Sequence, residues 1–247
     1  MYKCALVAQL AIALAACAGR VPTSGVEAGG RGRYPTVAIA PLLADEIRVG
    51  TAGSSEATRV AAGWNTRDKA ARISAELFEP VGTAVTPVDI AGLTAGDARQ
   101  LGEGLRAANR LPGGGVVLAL RQNAIDSRGR QYSPAVDFLL TGFLGLAVGA
   151  ATHEDRYQPS FFLASGDAFE STRCAIGFDA SLIDGKSGAV LAEARGILGL
   201  EKMPDSFRPT SWAAMSDQDR RSAETYCIAA LRRGISQAVK ELNLISR

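Results

Sequence analysis

The chain has 247 residues, 47% of them hydrophobic and 21% charged, with a formal net charge of +2. That apolar content supports a real core in one large domain or two small ones. Lys and Arg are scattered, with no basic run longer than two residues, which excludes the footprint of a nucleic-acid partner.

Lys3 supplies a short basic start, and Ala5 to Ala16 then run apolar with only Gln9 intervening. Such a run has the length of a signal-peptide core and is too short to span a bilayer as a helix. It closes on Leu14-Ala15-Ala16-Cys17. Small residues before a cysteine let the chain lie extended in a peptidase groove, and the thiol is the nucleophile that accepts a diacylglyceryl group. These four residues resemble the bacterial lipobox at every position. The resemblance implies a signal peptide over residues 1–16, with Cys17 as the acylated first residue of the mature protein. The other reading is an ordinary secretory peptide cut after Ala18. An acyl anchor at Cys17 implies attachment to a membrane. Because Ala18 rather than Asp follows the cysteine, the periplasmic face of the outer membrane is favoured over the outer face of the inner membrane.

Processing would reduce four cysteines to two. Cys4 leaves with the signal, Cys17 carries lipid, and Cys174 and Cys227 remain. An exported chain with two remaining cysteines is expected to form one disulfide, here between a strand and the C-terminal helix. Closing a loop of about fifty residues is worth roughly 4 kcal/mol in the chain-entropy model. Two buried free thiols are the alternative. No Cys-x-x-Cys is present, which argues against thiol-redox catalysis.

Residues 18–34 are rich in Gly, Ser and other small residues and read as a flexible tether, with order expected from Pro35. Thr36 to Ala40 form a short apolar strand that Pro41 stops. Residues 45–50 suggest a second, weaker strand, and 54–63 are ambiguous. Asn65, with Asp68 three residues on, looks like the cap of a helix whose apolar face includes Ala70, Ile73 and Leu77. Residues 81–90 are β-rich, with Pro87 marking an edge or a strand end. Thr94 and Asp97 resemble a capping box opening an amphipathic helix on Ala98, Leu101, Leu105 and Ala108. Gly102 and Gly104 inside it suggest tight packing. Val116 to Leu120 read as a strand buried on both faces. Gly113-Gly114-Gly115 lies between helix and strand in the wrong order for a phosphate loop, and so reads as a helix stop.

Residues 169–184 and 189–200 alternate apolar and polar or small side chains around Asp184-Gly185-Lys186-Ser187-Gly188 and so predict a β-hairpin. Asp179 and Asp184 differ by five residues and so point to opposite faces, with Asp184 a turn residue. Ser216 and Asp219 cap a C-terminal helix, and Cys227, Leu231, Ile235, Ala238 and Leu242 form its buried stripe with Arg232, Arg233, Lys240 and Glu241 facing away. The fold class is therefore α/β (α+β): a mixed sheet of about five strands with packed helices, in a single domain over 35–247 with an apolar excursion over 133–165.

Behind the lipobox and tether, this layout resembles a group of periplasmic lipoprotein domains that includes the curli secretion channel subunit (CsgG-like) and the N-terminal domain of TolB. The residues that carry the likeness are the first strand ending in proline (Val37 to Pro41), the late turn Asp184 to Gly188 and the closing amphipathic helix. The resemblance implies a layered α/β domain that binds proteins or assembles into envelope machinery. It implies no catalytic residue. The chain departs from the channel members in having no pair of alternating strands over 133–165.

Residues 138–151 carry no charge and form the most unusual stretch of the mature chain. Phe138, Leu139, Leu140, Phe143, Leu144, Leu146 and Val148 would either be buried in the core or in a subunit interface, or contact a partner or lipid. His153 is the single histidine, which excludes the usual His-rich zinc sites. No Gly-x-Ser-x-Gly elbow is present, and His153 reads as a surface loop residue. Trp64 and Trp212 both stand near helix starts, as core or partner contacts. Expected, then, is a membrane-anchored lipoprotein that binds another envelope protein or associates with itself, with no cofactor, metal or catalysis. The alternatives are a lipid-anchored hydrolase using His153 or carboxylates brought together by folding, and a lipid-contacting module that inserts 138–151.

Overall fold

The structure, a computed structural model, describes residues 31–51, 58–93, 97–122, 161–165, 172–204, 206–207 and 211–246. Cys17, the stretch 138–151 and His153 lie outside the described residues. The strands are β1 (Arg31–Gly32), β2 (Thr36–Leu42), β3 (Glu46–Thr51), β4 (Thr58–Ala61), β5 (Ala84–Pro87), β6 (Val116–Gln122), β7 (Phe161–Ser165), β8 (Arg173–Asp184), β9 (Val190–Lys202) and β10 (Ile245–Ser246). The helices are α1 (Thr66–Phe78), α2 (Ala98–Ala107) and α3 (Asp217–Glu241), with a 3-10 turn at Glu79–Val81.

The architecture is α/β with a mixed sheet. The sheet is larger than the five or so strands read from the sequence, with eight in the order β4-β3-β7-β8-β6-β2-β5 and β9 added on β8. The expected hairpin is β8–β9, and both its strands are longer than any other in the sheet. β1 pairs antiparallel with β10 and brings the two ends of the described chain together.

β8 carries most of the pairing. β9 runs antiparallel along it from Arg173 to Ile183. β6 pairs with Phe178 to Asp184, and β7 pairs with Arg173 to Ile176. Since β9 occupies one edge of β8, β6 and β7 share the other edge end to end. Gln122 stands opposite Phe178 and Phe161 opposite Ile176, so the end of β6 and the start of β7 lie two β8 residues apart. β2 and β3 repeat this arrangement one place further out, β2 parallel to β6 and β3 parallel to β7.

Proline does not stop the first strand. β2 continues through Pro41, opposite Leu120 on β6. On its other edge, pairing with β5 ends at Ile39 opposite Pro87, so the missing N–H of Pro41 leaves no ladder bond unmade there.

Helices cover both faces of the sheet. Val37, Ile39, Leu118, Leu120, Ile176, Phe178 and Leu182 point to the face on which α1 and α3 pack. Ala38, Ala40, Val117, Ala119 and Ile183 point to the other, where Leu101 and Leu105 of α2 cover them. Period-two alternation thus feeds two separate cores from the same strands. The stripe expected on α3 is buried throughout. Arg233, read as facing away, instead reaches β9 and pairs with Glu201. Lys69–Glu224 and Glu76–Arg232 ion pairs lace α1 to α3.

Two close approaches require glycine. A Cβ on Gly199 of β9 would lie 1.9 Å from the Ala230 carbonyl oxygen of α3, and one on Gly102 of α2 would lie 2.0 Å from that of Gly188. Both contacts are backbone against backbone, so no side-chain rotation relieves them. Gly102 therefore marks tight packing, as its place in the helix suggested.

The start of α1 is capped from a distance. Asn65 takes a left-handed conformation (φ 53°) and makes no side-chain cap bond. Asp45 does so in its place, its carboxylate accepting from Asn65 N at 3.1 Å and from Thr66 Oγ1 at 2.6 Å. By contrast Asp97 and Ser216 cap their own helices, accepting from Gln100 N at 2.7 Å and Asp219 N at 3.1 Å. Trp64 and Trp212 meet edge to face at 5.7 Å, with Trp64 buried and Trp212 half-buried.

Cys174 of β8 and Cys227 of α3 form the expected disulfide, with Cα atoms 5.2 Å apart and both residues fully buried. Replacing both by Ser is expected to lower the unfolding free energy by about 4 kcal/mol in urea melts. An unchanged midpoint would show that the bridge adds nothing. Asp45→Ala, which removes the cap of α1, is expected to cost about 1 kcal/mol by the same measurement.

Candidate functional site

One charged cluster is built around a buried arginine of the sheet. On the α2 face, the run Val117, Ala119 continues to Arg121, whose side chain is only 8% exposed. Its Nη2 donates to Ser181 Oγ at 3.2 Å on β8 and to Glu193 Oε1 at 3.4 Å on β9. Glu193 stands directly opposite Ser181, so the three side chains share one face. Arg195 binds the other carboxylate oxygen of Glu193 at 2.7 Å and extends outward, 72% exposed. A carboxylate between two guanidiniums thus links a buried charge to the surface.

Asp179 completes the cluster two residues along β8. Between Phe178 and Ala180 the β8–β9 register shifts, and Gly196 takes a positive φ of 65°. Asp179 Oδ1 accepts from Gly196 N at 2.8 Å and so fixes this irregularity. Burial pushes the Asp179 carboxyl above the ordinary aspartate value, and the pull of the Gly196 N–H, Arg121 and Arg195 does not fully offset it. Asp184 is the turn residue expected. It accepts from Ser187 N, Ser187 Oγ and Lys186 N, and these bonds hold its carboxyl below the ordinary value.

The chemistry open to this cluster is limited. Ser181 is the one hydroxyl in it and is fully buried, so no substrate reaches its Oγ. The carboxylates are committed, Glu193 to Arg121 and Arg195, and Asp179 to a backbone N–H. Among the described residues, no group of three or more His, Cys, Asp or Glu is placed to hold a metal ion. A shallow open groove between α1 and β5 is lined by Ala75, Glu76, Thr83 and Val85, and Glu76 is already paired with Arg232. The two cysteines expected as a bridge are brought together. The lipidation and contact residues expected at Cys17 and over 138–151 lie outside the described residues.

The edges of the sheet differ in what they offer. β5 is four residues long. Its flanking N–H groups at Ala84 and Val88 turn inward to Pro35 and Ile39 oxygens, and Pro87 has no N–H to present. β4 is equally short. β9, thirteen residues long, pairs with β8 alone among the described residues, and α3 packs on its face. Val190 and Leu191, at 36% and 49% exposure, are the large apolar side chains left exposed among the described residues, and both lie on this strand. A long edge with apolar side chains is a template for another strand. Alternation revealed β9 as a strand, but nothing local marks it as an edge.

No helix among the described residues is long and apolar enough to cross a membrane. No family model matches the chain, and no curated protein matches it. Among solved structures it is similar to protein XCC0632 from Xanthomonas campestris, described under the family model DUF330, at 13% identity and a TM-score of 0.38, over 87% of this chain and 86% of that one. It is also similar to PelC from Paraburkholderia phytofirmans, described as a dodecamer, in two crystal forms. One matches at 14% identity over 84% of this chain and 94% of that chain, and the other at 17% over 85% and 94%, both with a TM-score of 0.27.

Since burial raises the Asp179 carboxyl above its unfolded value, ionising it destabilises the fold. The loss sets in as pH rises through the interval between the two values and is complete above it. Asp179→Asn keeps an acceptor for Gly196 and carries no charge. It is expected to melt at a higher temperature than the parent at pH 7, with the gap closing as pH falls below the unfolded aspartate value. A lower melting temperature at pH 7 would show that attraction to Arg121 and Arg195 outweighs burial.

Proposed function

We propose that this chain is a cell-envelope lipoprotein, held on a membrane by acyl groups at Cys17, whose α/β domain serves as a protein-binding or assembly module without catalysis. The observation that carries the assembly part is the outer edge of β9, long, unpaired among the described residues and bearing exposed apolar side chains, in a sheet whose other edges are short. The envelope part rests on the Leu14-Ala15-Ala16-Cys17 pattern. A disulfide buried between β8 and α3 supports it, because such bonds form and persist outside the reducing cytosol.

The commitment of the cluster carboxylates to arginines and backbone supports a binding role over hydrolysis. Buried charges held this way stabilise one arrangement of strands and leave no general base free for a substrate. The outer membrane, on its periplasmic side, is the location we favour.

Palmitate labelling of cells expressing the full chain tests the anchor. Label is expected on the parent protein and absent from Cys17→Ser, which should leave the membrane fraction. A labelled Cys17→Ser protein would overturn the anchor. Cross-linking in intact cells tests the assembly role, and a protein that cross-links neither to itself nor to any other would overturn it.

A further inference from the structure

We propose that β9 pairs antiparallel with β9 of a second copy of this chain, across a two-fold axis at Ala194. The inference rests on the assembly reading and names its partner. The segment Val190 to Leu198 reads apolar, apolar, small, acid, small, base, small, apolar, apolar. About Ala194 this pattern is self-complementary in both size and charge. Antiparallel pairing there sets Val190 against Leu198, Leu191 against Ile197, Ala192 against Gly196 and Glu193 against Arg195, and each pair occurs twice.

For Val190 with Leu198 and Glu193 with Arg195, the faces agree as well as the order. Val190 lies opposite Ile183, Glu193 opposite Ser181 and Leu198 opposite Gly177, all odd-numbered residues on one face of β8. Arg195 joins them by its bond to Glu193. In an uninterrupted strand, Val190 and Glu193 would point to opposite faces, as would Arg195 and Leu198, since three residues separate each pair. The two register shifts, one between Leu182 and Ile183 and one between Phe178 and Ala180, bring both pairs into phase. A two-fold axis perpendicular to the sheet keeps each face on its own side, so Glu193 meets Arg195 of the second copy, and Val190 meets Leu198, on the same surface. Val190 would be covered by Leu198, and Leu191 would lie within the new strand pair. Arg195, exposed and fixed by a single carboxylate, would gain a second. Directly opposed side chains of opposite charge favour such a pairing.

Sedimentation of the full chain in detergent, as a function of concentration, tests the pairing together with Arg195→Glu and Leu191→Asp. Both side chains are exposed, and circular dichroism checks that each variant keeps the parent's fold. The parent is expected to dimerise. Arg195→Glu sets like charges opposite one another at two places and should weaken dimerisation at least about tenfold, and Leu191→Asp should do the same. In hydrogen exchange, amides over 190–198 should gain protection as the parent associates. Protection needs no variant and so decides the matter should either variant misfold. A dimer that leaves 190–198 unprotected, or that survives both substitutions, overturns this pairing while leaving the assembly reading in place. A parent that stays monomeric but cross-links to a different protein in cells does the same. A monomer that cross-links to nothing overturns both.

Discussion

A strand at the centre of a sheet must match neighbours on two edges and two faces at once, and β8 meets all four demands. Its edges hold β9 on one side and β6 with β7 on the other. Its even-numbered residues, among them Cys174, Ile176, Phe178 and Leu182, enter the core under α3, while Ile183 enters the smaller core under α2. A slip of one residue would exchange these faces, sending Cys174 away from Cys227 and Ser181 away from Arg121. The disulfide and the Arg121–Glu193 pair therefore enforce the same register from opposite sides of the sheet.

The charged cluster follows from that geometry. Arg121 would be costly to bury alone, and Glu193 is within reach because β8–β9 pairing sets it opposite Ser181. The shift between Phe178 and Ala180 then needs a partner for the Gly196 N–H, which Asp179 supplies. Asp179 is the least favourable ion of the group, a common mark of a binding or catalytic site. Here its oxygen completes a backbone bond, which gives a structural reason for its burial.

What could be read in the sequence was what local spacing encodes. Alternation around Asp184 to Gly188 identified the hairpin, and the stripe from Cys227 to Leu242, with Ser216 before it, identified α3. Export logic paired Cys174 with Cys227. What could not be read depends on partners far apart in the chain. Asn65 looked like a cap, but Asp45, twenty residues earlier, performs that role because the β2–β3 connection brings it beside the start of α1. Pro41 looked like a stop, and is tolerated because β5 ends one step sooner. Arg121 lay just beyond the expected strand and is one of the charges that organise the sheet. The composition of β9 was visible, but its position at an edge depends on strand order, which no residue of β9 encodes.

The meeting of β6 and β7 on one edge of β8 also divides the sheet. Gln122 and Phe161 stand opposite Phe178 and Ile176, and each half of that edge carries its own outer strand, β2 on β6 and β3 on β7. Among the described residues, the two halves share no strand but β8. The sheet is in effect two half-sheets mounted end to end on one rail, and whatever shifts that rail moves both together.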